Sequence, residues 1–407
     1  MRDAISSFDA TLPLLNIAML THSVNPRGGV VHALQLSESL QDAGHAVTLF
    51  APDPQQKGLF RAPRCEFVSV PGAVVRTGTA SVDTVAMVHG RIEDYIDYFS
   101  QPGVPQYDLY HAQDSISANA LATLTERGII NGFVRTVHHL DQFDDPQLHA
   151  WQERGFRQAA QLLCVSKLWK DKLRNEHGIT AEVVGNGVDL QRYQPQAAAR
   201  DATLAQELGL TGSPVFLAVG GVEPRKNTCG ILQAFLRFRR THPRAQLVIA
   251  GGTSLLDHRD YQQAFNALLR DHQISPGLGE AVVILGQVAD ADMPSLFRCA
   301  DALLFPSLKE GFGLVVLEAM ACGVPVVVSR IAPFTEYLKG GSCAWVEPED
   351  PASIAAGMAY ACDPAINPKL RDAGADISQQ FSWMQSAQRH LSIYRACLAQ
   401  SKEISYA

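Results

Sequence analysis

Glu310 and Glu318 are separated by seven residues in a window dense with glycine. Ala302-Leu303-Leu304-Phe305 reads as a strand, Pro306-Ser307 ends it, and Lys309-Glu310-Gly311-Phe312-Gly313 follows as a loop. A helical pattern then runs through Val315, Leu317, Glu318 and Met320 until Gly323 and Pro325 stop it, and Val326-Val327-Val328 is the next strand. Ligands of parallel sheets bind beyond the carboxyl ends of strands. Glycine lets the backbone approach a ligand, and a helix N-terminus offers unpaired N–H groups and partial positive charge to a phosphate. Glu318 lies about two helical turns past Glu310. One carboxylate can therefore bond sugar hydroxyls and the other a ribose, flanking a diphosphate niche. Alone, Glu310 is an ordinary loop acid and Glu318 a solvated helix residue.

Outside this window, two stretches share one order of elements. Leu14 to Leu20 is an apolar strand, a loop carries Pro26, Gly28 and Gly29, a helix is expected from Val30 to Ala43, and Ala46 to Phe50 is a strand. Further on, Val215 to Val219 is a strand, Gly220-Gly221 opens a loop, a helix is expected from about Thr228 to Arg240, and Leu247 to Ala250 is a strand. Two such βαβ units predict an α/β chain of two Rossmann-like halves. Unbroken apolar strands fit parallel sheets covered on both faces. The polar, alanine-rich stretch Gln191 to Ser213 is expected to be a linker. The boundaries this suggests are 1–195, 196–380 and a terminal helix over 381–407, whose stripe of Trp383, Leu391, Tyr394 and Leu398 suits domain packing.

A chain of 407 residues with 46% hydrophobic and 18% charged residues has material for two cores. Its net charge of -7 gives none of the basic surplus expected of a nucleic-acid binder. The eight cysteines, several inside apolar runs such as Leu162-Leu163-Cys164-Val165, read as buried thiols of a reducing compartment. Met1 to Thr11 lacks the basic and apolar regions of a signal peptide, and the longest apolar runs are strand-sized. A cytoplasmic protein is expected, with peripheral membrane contact left open.

Pro306-Ser307-x-x-Glu310-Gly-Phe-Gly-x-x-x-x-Glu318-Ala-Met-Ala-x-Gly-x-Pro resembles the signature of retaining GT-B glycosyltransferases of family 4, in which the paired glutamates form the EX7E motif. Gly28-Gly29 resembles the family's N-terminal glycine loop, Thr136-Val137-His138 its histidine loop, and Asn186-Gly187-Val188-Asp189 the turn before its linker. Phe381-Ser382-Trp383 resembles the start of its last helix. The likeness spans nearly the whole chain and is weakest between about 53 and 105. One position departs. The family commonly carries an arginine where this chain has Gly221, with a lysine five residues on, which is Lys226. Arg225 is expected to supply the second cation from a different backbone site.

The resemblance implies a GT-B fold, with parallel sheets of two Rossmann-like domains facing across a cleft that closes on the donor. It implies retention of anomeric configuration by front-side attack, no cofactor and no obligatory metal. Lys226 and Arg225, with amides near Gly28 and Gly313, are expected to stabilise charge on the leaving phosphate, and Gly28, Gly29, Gly311, Phe312 and Gly313 to bind the donor. Glu310 is expected to orient the sugar, Glu318 to hold the ribose, and His138 to donate a hydrogen bond to a sugar hydroxyl. The partners implied are a UDP- or GDP-type nucleotide sugar and a sugar, lipid or small-molecule acceptor.

Blander readings stand beside these. Gly28-Gly29 can be a plain turn, Lys226 a helix-flanking surface charge, and His138 or His111 a structural histidine. His138, His139 and Asp141 lack the spaced ligand set of a metal site. Asp290-Ala-Asp292 imitates a metal-binding DxD but is expected to cap the helix continuing through Leu296 and Phe297. Rival functions are a nucleotide-sugar 2-epimerase of the same architecture and a nucleotide-sugar-binding protein without turnover. A dinucleotide oxidoreductase is weaker, because no full GxGxxG is present.

Overall fold

The computed structural model describes residues 13–72, 81–252 and 258–405, so Met1 to Thr11, read above against a signal peptide, lies outside the described residues. The chain divides into two compact units. The first comprises Met1–Val165, Trp169–Gly185 and Trp383–Ala407; the second comprises Ser166–Leu168 and Asn186–Ser382.

The first unit holds β1 (Asn16–Leu20), β2 (Ala46–Pro52), β3 (Glu66–Val70), β4 (Leu109–Ala112), β5 (Val134–Val137), β6 (Gln161–Cys164) and β7 (Glu182–Val183). They form one parallel sheet in the order β3-β2-β1-β4-β5-β6-β7. Ile17, Ala18, Met19 and Leu20 are all fully buried, as an apolar run covered on both faces demands. The strand order reverses between β1 and β4, where Ile17 pairs with Leu109 and Leu20 with Ala112. The loops leaving those two strands therefore diverge and open a crevice at their carboxyl ends.

The second unit repeats the plan. Its strands are β8 (Val215–Val219), β9 (Gln246–Ala250), β10 (Val282–Gly286), β11 (Ala302–Phe305), β12 (Val326–Ser329) and β13 (Ala344–Val346). The order is β10-β9-β8-β11-β12-β13, again parallel, with the reversal between β8 and β11. Phe216, Leu247, Leu304, Val327, Phe235 and Met358 belong to its core.

The terminal helix Trp383–Ser405 belongs to the first unit. Its Ala387, Leu391 and Tyr394 join the core of Leu34, Leu36 and Leu40 from the helix Gly28–Asp42. Burying a side chain such as Leu391 contributes about 1.5–3 kcal/mol. Among the described residues no helix is long and apolar enough to cross a membrane. All eight cysteines are unbridged.

Two expectations need correction. The stretch Gln191 to Ser213 is not a bare linker, because it contains the helix Ala199–Leu208. Leu204 and Leu208 of that helix are buried, Gly209 ends it at φ 65°, and Asp201 accepts both Nε and Nη2 of Arg298 at 2.8 Å. Just ahead of that helix, Tyr193 sets its ring 5.9 Å from that of Phe297 within the second unit. Asp290 and Asp292 make no side-chain cap on the helix Met293–Arg298. They form ion pairs instead, Asp290 with Arg192 and Asp292 with Arg200, each at 2.8 Å. Ion pairing to the preceding segment has replaced capping.

Candidate active site

In the second unit, the loops after β8 and β11 leave the point where strand order reverses. They are stitched together by backbone and side chain. The Leu308 N–H donates to the Arg225 carbonyl at 2.9 Å, and Asn227 Nδ2 donates to the carbonyls of Pro306 at 3.2 Å and Pro348 at 2.6 Å. This brings Arg225, Lys226 and Glu310 together although they lie more than eighty positions apart in sequence. Arg225 Nη1 donates to Glu310 Oε1 at 2.9 Å, and Lys226 Nζ donates to the same oxygen at 2.6 Å. The Lys226 ammonium also sits 4.2 Å from the centre of the Phe305 ring, a cation–π contact at the end of β11. Arg225 Nη2 reaches Glu223 Oε1 at 3.1 Å, so its guanidinium spans two carboxylates.

Burial would raise the Glu310 carboxyl, but the charges of Lys226 and Arg225 and the hydrogen bond from Lys226 outweigh it and hold the group at about 2. Glu310 is therefore a carboxylate throughout the neutral range and accepts hydrogen bonds only. Burial pulls Lys226 down from the usual lysine range while Glu310 opposes it.

A side chain at 221 would collide with its surroundings. Gly221 takes φ 75°, and a Cβ there would lie 2.8 Å from the Gly252 carbonyl oxygen and 3.0 Å from that of Gly251. The loops after β8 and β9 pack backbone to backbone, leaving no volume for a side chain at 221.

Gly313 takes φ 94° at the N-cap of the helix Leu314–Ala321, and a Cβ there would stand 2.6 Å from the Phe334 ring. Phe312 stacks on Tyr337 at 4.9 Å, and the Tyr337 hydroxyl donates to the Phe312 carbonyl at 3.1 Å. Gly311 links this pinned segment to Glu310. Glu318 is partly buried on the helix and faces Tyr193, Arg192 and Asp290 rather than the Glu310 cluster. Burial lifts its carboxyl to about 7, with Asp290 adding to the rise and Arg192 and Tyr193 opposing it.

The first unit carries the other residues expected to act. Gly28 and Gly29 begin the helix Gly28–Asp42, whose first turn carries no acidic side chain. A Cβ on Gly28 would meet nothing within 4 Å, whereas one on Gly29 would lie 3.3 Å from His138 Cδ2. Gly29 thus lets the helix start approach the imidazole. His138 Nε2 is 2.9 Å from Gln113 Oε1, and its ring meets His32 edge-on at 4.7 Å. Burial, then the neighbouring imidazoles of His32, His139, His111 and His22, push His138 well below the usual histidine range, so the ring is neutral at pH 7. His139 turns instead toward Asp141, at 3.2 Å. His111 is fully buried between the Tyr394 hydroxyl at 2.6 Å and the Thr136 hydroxyl at 2.8 Å, which makes it structural.

Sequence reasoning missed Gln113, Glu223 and the Arg192–Tyr193 pair beside Glu318. Only Glu223 carried a local signal, a carboxylate two positions from Arg225. Among the described residues no three His, Cys, Asp or Glu side chains are grouped to hold a metal ion.

Known proteins resemble this chain over most of its length. The profile described as Glycosyltransferase Family 4 matches residues 26–192, and that described as Glycosyl transferases group 1 matches residues 200–373. A glycogen synthase of Mycobacterium tuberculosis is 31% identical over 399 residues, covering 90% of each chain. The chain belongs to glycosyltransferase family 4. This family 4 enzyme is a retaining glycosyltransferase that uses a nucleotide-sugar donor. Its fold is GT-B. Sucrose-phosphate synthase from Thermosynechococcus elongatus superposes with a TM-score of 0.74 at 22% identity, over 95% of this chain and 99% of that one. Anabaena HepE, solved in complex with UDP-glucose, gives 0.72 at 18% identity over 94% and 100%. Membership of the family sets aside the readings of the transferase as an epimerase or an oxidoreductase.

Proposed function

We propose that the enzyme moves a hexose from a UDP- or GDP-type sugar to a hydroxyl acceptor, and that Lys226 and Arg225 hold the donor diphosphate. The observation that carries this reading is the convergence of both cations on one Glu310 oxygen at the carboxyl ends of β8 and β11. A UDP-sugar is the first candidate, since Anabaena HepE is solved with UDP-glucose.

As the bond from C1 to the leaving oxygen breaks, negative charge grows on the β-phosphate. Cations already fixed in place stabilise that charge more than the ground state and need little reorganisation. Lys226 acts as a compact charge and Arg225 as a planar fork held open between Glu223 and Glu310. The backbone N–H groups at Gly28, Gly29, Gly311, Phe312 and Gly313 add donors toward the phosphates and sugar. Glu310, ionised throughout the neutral range, orients the sugar by accepting from its hydroxyls. Glu318 bonds the ribose. His138 bonds a sugar hydroxyl. With Nε2 placed 2.9 Å from Gln113 Oε1, the ring has Nδ1 left for that contact.

The test is a product assay with a panel of nucleotide sugars and a cell extract as acceptor source, read by mass spectrometry of nucleotide and glycan. The proposal expects nucleoside diphosphate release matched by a sugar added to a new molecule, and loss of both in Glu310→Ala. Full activity in Glu310→Ala, or a donor that binds and is never consumed, would overturn it.

A further inference from the structure

We propose that Gln113 is a positioning residue for the transfer reaction: its side-chain oxygen fixes His138 as the Nε2–H tautomer and leaves Nδ1 as the ring's acceptor. This rests on the reading of His138 as a sugar-hydroxyl contact.

Gln113 follows β4 at the strand-order reversal of the first unit and is 2% exposed. Its backbone N–H is tied to the Leu20 carbonyl at 3.0 Å, at the end of β1. Its side-chain Nε2 lies 3.0 Å from Met19 Sδ and 3.3 and 3.4 Å from the two ring nitrogens of His111. A thioether sulfur accepts hydrogen bonds and donates none. The NH2 half of the amide must therefore face Met19, and the carbonyl half must face His138 at 2.9 Å. Turning the amide over would set its oxygen against the sulfur lone pairs.

The layer beneath Gln113 is locked as well. His111 is clamped by the hydroxyls of Tyr394 and Thr136, and Tyr394 comes from the terminal helix, 283 positions away in sequence. His138 is confined on its other side by the bare backbone of Gly29 and the edge of His32. The titratable groups around it are the imidazoles of His32, His139, His111 and His22, with Asp114 3.5 Å from His22 Nδ1. A neutral imidazole has one proton, and a carbonyl at 2.9 Å from Nε2 keeps it there.

The test uses the full chain labelled with 15N-histidine, with His138→Ala assigning the resonance. Long-range proton–nitrogen spectra should show His138 as the Nε2–H tautomer in the wild type and as a tautomer mixture in Gln113→Leu. Gln113→Glu keeps the volume and sets a carboxylate beside Nε2. His138 should then titrate at a higher pH than in the wild type, and kcat should gain a new limb in its pH profile. With the nucleotide sugar identified by the product assay, Gln113→Leu should lower kcat about tenfold and leave the donor KM unchanged, the worth of one neutral hydrogen bond. In the His138→Ala background, Gln113→Leu should cost nothing further. An Nδ1–H tautomer in the wild type would overturn the inference, as would an inactive His138→Ala beside a fully active Gln113→Leu. Full activity in His138→Ala would instead overturn the reading of His138, while the spectra still decide whether Gln113 sets the tautomer.

Discussion

Replacing Glu310 by Gln keeps the side chain's shape and removes the charge that Lys226 and Arg225 share. A carboxyl that titrates near 4.5 in an unfolded chain and at about 2 in the folded one contributes about 3 kcal/mol of stability at pH 7. Breaking a buried ion pair from one side costs about 3–5 kcal/mol, so the two routes agree. Because the folded value lies below the unfolded one, the contribution is whole above the unfolded value and fades as pH falls. About 2 kcal/mol remains at pH 3.5, and little below about pH 2, where a protonated Glu310 resembles the variant. For a domain of this size, 3 kcal/mol is roughly 6–12 °C in Tm. Thermal melts of wild type and Glu310→Gln, compared at pH 7 and pH 3.5, check this. The variant should melt lower at pH 7, with a gap that narrows on acidification. Equal melting at pH 7, or a gap indifferent to pH, would refute the reasoning.

Gly221→Ala should lose about 2 kcal/mol or more, because it adds a left-handed backbone penalty to a Cβ 2.8 Å from a carbonyl oxygen; chemical denaturation measures it. Gly221→Arg, which restores the family's usual residue, should be less stable still and no more active in the product assay. Glu318 has the opposite sign from Glu310. Its folded carboxyl is raised, so its favourable state is present below the unfolded value and is lost as pH rises through about 7. Glu318→Gln should accordingly melt above wild type at pH 8 and level with it at pH 4. Arg225→Lys should lower kcat/KM about tenfold or more, because a point charge cannot span Glu223 and Glu310 as the fork does.

The parts of the fold that could be read in advance were those with local signals. Val215–Val219 and Ala302–Phe305 are unbroken apolar runs bounded by glycine or proline, and their limits match the observed strands. The helix Ala199–Leu208 was hidden because only Leu204 and Leu208 mark its buried face, and alanine with polar neighbours reads equally as a linker. For the site, proximity of Lys226 and Glu310 follows from topology, since each loop leaves a strand beside the reversal. What surrounds His138 was not legible. Its support comes from Gln113 and from a Tyr394–His111 bond spanning 283 positions, and no local pattern encodes such a pairing. Neither Arg192 nor Tyr193 signalled a role near Glu318, because their side chains are directed by packing on Asp290 and Phe297.

The central claim is that Lys226 and Arg225 read the donor's β-phosphate. Calorimetric titration of the full chain with UDP and with UMP isolates that phosphate. The wild type should prefer UDP by about a hundredfold, and Lys226→Ala should bring the two affinities to within about threefold by removing a charge-assisted contact. A preference for UDP unchanged in both Lys226→Ala and Arg225→Ala would contradict the account.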